Sequence, residues 1–432
     1  MTTKPTYTPA LRFPDFLNDG EWEVKRLGDL FVRITDRNKE NNRNVLTISA
    51  QFGLVNQFEY FSKNVAATDV TNYYIIKKGD FAYNKSRSQG YPFGAIKPLL
   101  LYEKGVVSTL YICFRLKEDS MCDADFFRFY FETGIINDQI SNIAQEGARN
   151  HGLLNISTDD FFNINLLVPP LSEQRRIAAC LSALDEMLAA TNGKLEQLKA
   201  YKKGLMQNLF VSSMGGGKSL NINYLQITKL RFPEFYDEKE WEEKKLGEIA
   251  KRYSIKNKSN QRYSVLTNSA TEGVIKQQDY FDREIVTKEN LSNYYIIEID
   301  DFVYNPRISV AAPVGPISRN HIEKGVMSPL YTVFRFKDGD LDFFEHYFKT
   351  NYWHQFLKDK ANYGARFDRM NISNDDFLDL PIPYPSLPEQ RKIASCLSTM
   401  DDQINAFTEK VGLLGQYKKG LMQGMFPPNQ MN

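Results

Sequence analysis

The chain has 432 residues, of which 42% are hydrophobic and 25% charged, so it is long enough for two or three folded domains. The formal net charge of +1 argues against binding nucleic acid by overall basicity, so any basic contact surface must be local or shared with a partner. Four cysteines without a CxxC pair and four scattered histidines argue against a disulfide framework or a zinc site. The first thirty residues lack a signal pattern and no apolar run has membrane-spanning length, which predicts a cytoplasmic protein without a membrane partner.

The sequence is duplicated. The segment 11–16 (LRFPDF) returns as 230–235 (LRFPEF), and the segment 201–207 (YKKGLMQ) returns unchanged as 417–423. The offset between equivalent positions drifts by only a few residues along the chain. This pattern indicates two domain-sized copies with small loop insertions.

The first part of each copy mixes strand-like runs with turn residues. In the first copy these runs are rich in Val, Ile, Tyr and Phe and are broken by Gly and Pro; they cover 44–49, 73–76, 81–84 and 106–116. A helix-like stretch follows at 125–133. The prediction is a mixed α/β (α+β) globular region in each copy, with a topology that the pattern does not define.

The second part of each copy has the heptad pattern of a coiled-coil helix. Ser172 or Pro388 followed by an acid marks the start of each helix, just after prolines. The apolar seam in the first copy is Ile177, Leu181, Leu184, Leu188, Thr191, Leu195, Leu198, Leu205 and Leu209. In the second copy it is Ile393, Leu397, Met400, Ile404, Phe407, Val411, Leu414, Leu421 and Met425. Lys202 and Lys418 fill the same gap in the two seams, and the simplest expectation is that the two helices pack together within one molecule. The alternative is that each helix flanks a separate core.

These patterns define the predicted domains. They are a globular region over 1–171, a heptad helix over 172–210, a glycine-rich linker over 211–228, a second globular region over 229–387, a second heptad helix over 388–426 and a tail over 427–432.

Several ordered motifs resemble one protein family. The segments 170–177 (PLSEQRRI) and 386–393 (SLPEQRKI) stand at the two helix starts, and YKKGLMQ closes both helices. A turn at 83–86 (YNKS) is followed by 90–94 (GYPFG). With the alternation of two globular regions and two heptad helices, these motifs resemble the specificity subunits of type I restriction-modification systems over essentially the whole chain.

The resemblance implies a DNA-reading subunit without catalytic activity. Each globular region would be a target-recognition domain for one half of a bipartite double-stranded DNA site, and the helices would form an antiparallel coiled coil that sets the spacing. A helix over 172–210 rises about 58 Å, enough to separate two readers by up to roughly 17 base pairs. The helices would also dock two methylation subunits, which carry S-adenosylmethionine, and restriction subunits that use ATP and Mg²⁺ would join. The chain itself would bind no cofactor.

Candidate DNA contacts are polar loop residues of the types that bind bases and phosphates. They are Asn84, Lys85, Ser86, Arg87, Gln89, Tyr91, Arg149 and Asn150 in the first copy, and Asn305, Arg307, Ser309, Arg366 and Arg369 in the second. For each residue the alternative is an ordinary solvated loop side chain. The helix lysines at 202–203 and 418–419 are candidates for contact with DNA or a partner, or else form a solvated face beside the seam. Because the two copies differ in their loops, the predicted site is asymmetric.

Enzyme motifs are poor. The glycine-rich 215–219 (GGGKS) lacks the first glycine of a phosphate loop and follows a helix. Asp15, Glu23 and Lys25, with Glu234, Glu242 and Lys244 in the second copy, mimic the acid-and-lysine set of metal-dependent nucleases, but chance is the better explanation. No amino-methylation motif or methyl-donor loop is present. A coiled-coil scaffold that joins proteins without DNA is the other alternative.

Overall fold

The computed structural model describes residues 7–49, 52–61, 69–88, 90–146, 152–210, 230–280, 291–361 and 368–427. They form two compact units, one of residues 1–192 with 409–432 and the other of residues 193–408. Each unit therefore holds one globular region, the first half of the long helix that follows it and the second half of the other long helix.

The first unit combines short strands with short helices. Its strands are β1 (Glu23–Arg26), β2 (Phe31–Ile34), β3 (Leu46–Ser49), β4 (Gly53–Asn56), β5 (Tyr74–Lys77), β6 (Phe81–Asn84), β7 (Ala95–Pro98), β8 (Lys104–Val107), β9 (Ile112–Leu116), β10 (Gln145–Glu146), β11 (Leu154–Asn155) and β12 (Asn165–Val168). Its helices are α1 (Leu27–Leu30), α2 (Gln57–Phe61), α3 (Ala124–Glu132), α4 (Asn137–Ile143), α5 (Thr158–Phe162) and the first half of α6 (Leu171–Phe210).

An antiparallel sheet in the order β2-β9-β6-β7 forms the centre of the first unit. The other strands pair two by two, as β1 with β12, β3 with β4, β5 with β8 and β10 with β11. In the first of these pairs Glu23 lies opposite Val168, so the strand that begins the domain is hydrogen-bonded to the strand that leads into α6. This pairing joins the globular region to its long helix.

An aromatic cluster fills the space between this sheet and α3. Phe31 and Phe81 from the sheet contact Phe127 and Phe131 from the helix, with ring centroids 5.0 Å apart for Phe31–Phe127 and 5.7 Å for Phe81–Phe131. Asp123 caps α3 by accepting a hydrogen bond from the backbone N–H of Phe126 at 3.0 Å. The burial of each ring stabilises the fold by about 1.5–3 kcal/mol, which makes the sheet a rigid base for the β6–β7 loop.

The second unit repeats most of these elements. Its strands are β13 (Glu242–Lys245), β14 (Ala250–Tyr253), β15 (Ser264–Ser269), β16 (Gly273–Lys276), β17 (Tyr295–Ile297), β18 (Phe302–Tyr304), β19 (Ile317–Arg319), β20 (Gly325–Met327), β21 (Thr332–Phe336) and β22 (Pro381–Tyr384). Its helices are α7 (Leu246–Ile249), α8 (Gln277–Tyr280), α9 (Leu341–Phe348), α10 (His354–Lys360), α11 (Asn374–Leu378) and the first half of α12 (Leu387–Met425).

The sheet order β14-β21-β18-β19 in the second unit repeats the order of the first. A second, mixed sheet runs β16-β15-β20-β17, in which β15 and β20 are parallel. The core is again aromatic, and Phe344 of α9 stacks on Phe336 of β21 with centroids 4.0 Å apart. The predicted duplication and mixed α/β class are confirmed.

One sequence-based element was wrong. The run 106–116 was predicted as a single strand, but β8 ends at Val107 and β9 begins at Ile112. Between them the backbone N–H of Tyr111 donates to the carbonyl of Ser108 at 3.1 Å, and the Ser108 hydroxyl accepts from Leu110. A turn stabilised by the Ser108 hydroxyl therefore separates β8 from β9, and the two strands belong to different sheets.

The two long helices carry the predicted seam. Both are continuous through Gly193 and Gly412, and each begins one residue before the predicted start. Every seam position is buried or half-buried, including the weakly apolar Thr191, whereas the positions between are mostly exposed. In heptad packing, the apolar seam determines which faces of the two helices meet.

Within each unit the start of one long helix lies beside the end of the other. In the first unit Ile177 and Leu181 share a core with Met422 and Met425. In the second, Ile393 and Leu397 share a core with Leu209 and Phe210. The helix halves are therefore antiparallel, and the two alternatives from the sequence are combined, because the same residues also pack on the globular core.

Candidate nucleic-acid interface

The loops β6–β7 and β18–β19 begin with the same asparagine-based turn. The side-chain Oδ1 of Asn84 accepts a hydrogen bond from the backbone N–H of Ser86 at 3.0 Å, and Asn305 does the same for Arg307 at 3.0 Å. Asn305 is also buried and donates from Nδ2 to the carbonyl of Asn268 at 2.9 Å. The polar groups of Asn305 are thus used inside the protein, where they shape the loop.

A glycine closes each loop against its first residue. Gly94 and Gly315 have φ angles of +79° and +82°. A Cβ at these positions would lie 2.2 Å from the Asn84 carbonyl oxygen and 2.0 Å from that of Asn305. Only glycine fits both the backbone conformation and this approach. The two loops therefore close in the same way. They also have the same length, 84–94 and 305–315.

A buried tyrosine anchors the returning limb of each loop. The Tyr83 hydroxyl donates to the Phe93 carbonyl at 2.8 Å, and the Tyr304 hydroxyl donates to the Val314 carbonyl at 2.9 Å. Burial raises the pKa of both phenols, so each stays a neutral donor. Each ring also stacks on a phenylalanine, Phe161 or Phe377, at centroid distances of 5.0 and 4.9 Å.

A second segment of the chain pairs with each loop. In the first unit the N–H of Arg87 donates to the Gly152 carbonyl at 2.7 Å, and the N–H of Leu154 donates to the Lys85 carbonyl at 3.0 Å. Ser86 lies opposite Leu153 in an antiparallel bridge. Residues 152–154 are therefore neighbours of the β6–β7 loop.

The second unit repeats this arrangement. Arg307 lies opposite Arg369 in an antiparallel bridge. The N–H of Ile308 donates to the Asp368 carbonyl, and the N–H of Met370 donates to the Pro306 carbonyl, both at 2.9 Å. The exposed Arg307 and the half-buried Arg369 are thus neighbours on adjacent backbone segments. The predicted contacts Gln89, Arg149, Asn150 and Arg366 lie outside the described residues.

The two loops carry different side chains at most of their equivalent positions. Ser86 and Arg87 are exposed in the first unit, as are Arg307 and Ser309 in the second. Lys85 is half-buried, and burial lowers the pKa of its ammonium group. The remaining predicted contact in the first unit, Tyr91, is half-buried, with the Lys97 ammonium 5.6 Å from its ring centroid.

An ion pair that was not predicted from the sequence holds the strand before each loop. Arg115 binds Asp80 through two hydrogen bonds of 2.6 Å, and Arg335 binds Asp301 through bonds of 2.6 and 3.0 Å. Both aspartates are buried and directly precede β6 or β18. The hydrogen bonds to Asp80 raise the pKa of Arg115. Retention of both residues in both copies was the available sequence signal.

The helix lysines have two different environments, and this corrects the sequence-based interpretation. Lys418 lies 2.6 Å from Asp185, and Lys202 pairs with Asp401. These two lysines occupy the seam and bind the facing helix, so neither belongs to a solvated face or a DNA-contacting surface. Their neighbours Lys203 and Lys419 are exposed.

A buried ion pair also fixes the start of each long helix. The Arg12 guanidinium binds the Glu173 carboxylate through contacts of 2.8 and 2.7 Å, and Arg231 binds Glu389 in the same way. Both carboxylates are fully buried. The repeated LRFP segment is thereby attached to the helix that follows its domain.

The acids considered for a nuclease do not converge on a metal site. Lys25 pairs with Glu23 at 3.2 Å, and in the second unit Lys392 pairs with Glu234 at 2.9 Å. Across the part of the chain that the structure describes, no group of three or more His, Cys, Asp or Glu residues is placed to hold a metal ion. No helix in the same residues is long and apolar enough to cross a membrane.

The chain is similar in sequence to a family of restriction-system proteins. A family model described as the type I restriction modification DNA specificity domain matches residues 19–200 and 238–412, more than half of the chain. The putative type I restriction enzyme MjaX specificity subunit of Methanocaldococcus jannaschii is 25% identical over 280 residues, 60% of this chain and 58% of that protein. The chain thus spans little more than half of that relative. The MjaVIII specificity subunit of the same organism is 23% identical, over 96% of this chain and 92% of its own length.

Solved structures share the fold. The S subunit of the type I restriction-modification system from M. genitalium has a TM-score of 0.55 at 17% identity, covering 97% of this chain and 99% of that one. A chain solved in work on complex assembly and conformational transition of the type I R-M system has a TM-score of 0.50 at 16% identity, covering 94% and 98%.

Proposed function

The chain belongs to the type I restriction modification DNA specificity domain family, and from this premise we propose that its two globular regions read the two halves of one asymmetric DNA site. The observation that carries the proposal is the pair of equivalent loops. They share the asparagine turn, the closing glycine and the anchoring tyrosine, but they present different side chains. Loops with the same backbone features and different side chains suit two domains that recognise different base sequences.

The exposed loop side chains suit double-stranded DNA. Arginine binds guanine through two hydrogen bonds and also binds phosphate, and serine binds either. Arg87 with Ser86 and Arg307 with Ser309 supply these groups. Two identical readers would demand a palindrome, whereas two different readers recognise an asymmetric bipartite site.

The two long helices set the spacing between the half-sites in this proposal. Each is continuous over about forty residues, and a straight helix of that length rises about 60 Å. The antiparallel arrangement inside each unit is fixed by ion pairs as well as apolar contacts. A stiff spacer tolerates one separation of half-sites and rejects others.

The helices also dock two copies of a methylation subunit. The segment YKKGLMQ occurs unchanged in both, and its tyrosines, Tyr201 and Tyr417, are 65% and 57% exposed. Outside the backbone of its own helix, a Cβ added to Gly204 or Gly420 would meet no atom of the described residues within 4 Å. Glycine within a helix is less favourable than alanine by about 1 kcal/mol, so internal packing does not account for these two residues. A partner that approaches the helix backbone closely, once at each copy, does account for them.

The chemistry then resides in the partners. The methylation subunits carry S-adenosylmethionine, and the restriction subunits that join the complex use ATP and Mg²⁺. This chain contributes recognition and binds no cofactor. With a formal net charge of +1 it leaves part of the phosphate neutralisation to those partners.

Modified-base sequencing tests the proposal. DNA would be taken from a host that expresses the chain with a methylation subunit, and from a matched host that expresses the methylation subunit alone. One asymmetric two-part motif, modified only when the chain is present, is the expected result. An assembled complex without any modified motif would overturn the proposal in favour of a scaffold that joins proteins without reading DNA.

A further inference from the structure

The β18–β19 loop of the second unit ends in an apolar tip. Val310 is 105% exposed, the highest value among the large exposed hydrophobic residues that the structure describes, followed by Met121 at 73%. Its side chain therefore projects fully into solvent. Exposed valines scattered on a surface are ordinary, but this one stands at the end of a loop built to the same frame in both copies.

The tip is held rigidly. The backbone N–H of Ser309 donates to the Ala312 carbonyl at 3.0 Å, and the N–H of Ala312 donates back to the Ser309 hydroxyl at 3.1 Å. On the inner side, Gly315 donates to the Ala312 carbonyl at 3.0 Å, and Ile308 donates to Asp368 at 2.9 Å. These bonds restrict the backbone on either side of Val310, which reduces the conformational entropy lost on binding.

The neighbours of Val310 define what the tip can bind. Arg307 and Ser309 are exposed beside it and suit phosphates or base edges. Valine has no hydrogen-bonding group, so it can distinguish bases only by apolar contact. In the major groove the one apolar feature of a base pair is the C5-methyl group of thymine.

We propose that Val310 reads a thymine methyl group in the half-site of the second domain. The inference rests on the proposed function and names one base-reading residue within it. At the same loop position the first copy has Gln89, a residue type that binds adenine, so the two copies differ in chemistry at this point of the sequence.

Replacement of thymine by uracil tests this proposal, because uracil pairs identically and lacks only the methyl group. The chain would be assembled with its methylation subunit, and the recognised motif would be determined first. Binding would then be measured at one fixed salt concentration to duplexes in which each thymine in turn is replaced by uracil. We expect one position to weaken binding by roughly threefold to tenfold, the effect of one lost methyl contact.

The Val310→Ala variant makes the test specific. It should bind the unmodified duplex more weakly and should no longer distinguish thymine from uracil at that position. Leu330→Ala is the matched control, since Leu330 is also an exposed apolar residue in a turn of the same unit, and it should retain the full uracil effect. Melting of both variants checks that the fold is unchanged.

The remaining outcomes contradict the inference in separable ways. A recognised motif with no uracil-sensitive position, or a sensitivity that survives in Val310→Ala, overturns the role of Val310 and leaves the proposed function in place. Weakened assembly with the methylation subunit in Val310→Ala, with DNA discrimination intact, assigns the tip to a protein contact instead. Absence of any sequence preference overturns both proposals.

Discussion

The ammonium group of Lys418 lies 2.6 Å from the carboxylate of Asp185, and Lys202 forms the equivalent pair with Asp401 in the other unit. A lysine in an apolar heptad seam would ordinarily weaken helix pairing. Here each lysine is mostly buried and meets an acid on the facing helix. The pair fixes the register of the two helix halves in a way that interchangeable leucines do not.

Asp185→Ala should lower the free energy of unfolding of the first unit by about 1–3 kcal/mol, because it leaves the largely buried Lys418 ammonium without that carboxylate. The double variant Asp185→Ala with Lys418→Met should recover most of this loss. Urea denaturation measures both. The exposed neighbour Lys419→Met serves as the control and should change little. A double variant no more stable than the single one would contradict the account.

Arg12→Ala should destabilise the protein by about 3–5 kcal/mol, because the Glu173 carboxylate would remain buried without its partner. Lys78→Ala breaks the exposed pair with Glu103 and should change stability by less than about 1 kcal/mol. Thermal melts compare the two. Equal effects would mean that the helix start is not fixed by the Arg12–Glu173 pair.

His346 should make the second unit sensitive to acid. Burial, with a further contribution from Lys202 and Lys349, lowers its pKa from 6.5 to about 4, while Asp401 and Glu345 oppose the shift. The unfolded state therefore binds more protons between these pH values, and stability present above about pH 6.5 is lost as the pH falls toward 4. The expected loss is about 2–3 kcal/mol.

The variant His346→Phe should remove this part of the pH dependence. Phenylalanine is the residue at the equivalent position of the first copy, Phe129, where it is fully buried. Urea denaturation at about pH 7 and about pH 4.5 gives the comparison. His321→Gln is the control at an exposed histidine. An unchanged pH dependence in His346→Phe would assign the acid sensitivity to other groups.

Gly204→Leu and Gly420→Leu should each displace one copy of the methylation subunit. A Cβ at either position meets no neighbouring element within 4 Å, so the fold should be retained, while a close partner would be pushed away. Native mass spectrometry of the complex would report one bound copy in place of two. Gly412→Leu, another helix glycine with open space around it, tests whether increased helix propensity alone has an effect. Full assembly in both glycine variants would place the partner elsewhere.

Much of the fold follows from local sequence patterns. The heptad spacing predicted both long helices and their seam positions, and the internal repeat predicted two similar domains, because both depend on regular spacing along the chain. The run 106–116 was predicted wrongly because its composition is uniform and the separating turn depends on hydrogen bonds from Ser108. Composition does not report such a turn.

The site was less predictable than the fold. Sequence analysis named the loop residues but not the pairing of 85–87 with 152–154, which depends on contacts between distant segments. It did not show that the Asn305 side chain hydrogen-bonds within the protein, where Oδ1 accepts from the Arg307 N–H and Nδ2 donates to the Asn268 carbonyl of β15. The helix lysines looked equivalent in sequence, yet Lys202 is buried and Lys203 is exposed. These distinctions depend on which side chains face each other across the tertiary fold.

The central claim is that each globular region reads its own half-site. A loop exchange is the most direct test of this claim. Residues 305–315 would be replaced by residues 84–94, which have the same length and frame, and the modified motif would be determined in cells that contain the methylation subunit. The account predicts that the half-site of the second domain changes while the other half-site and the assembled complex are preserved. A motif identical to that of the unaltered chain would contradict the claim that these loops read DNA.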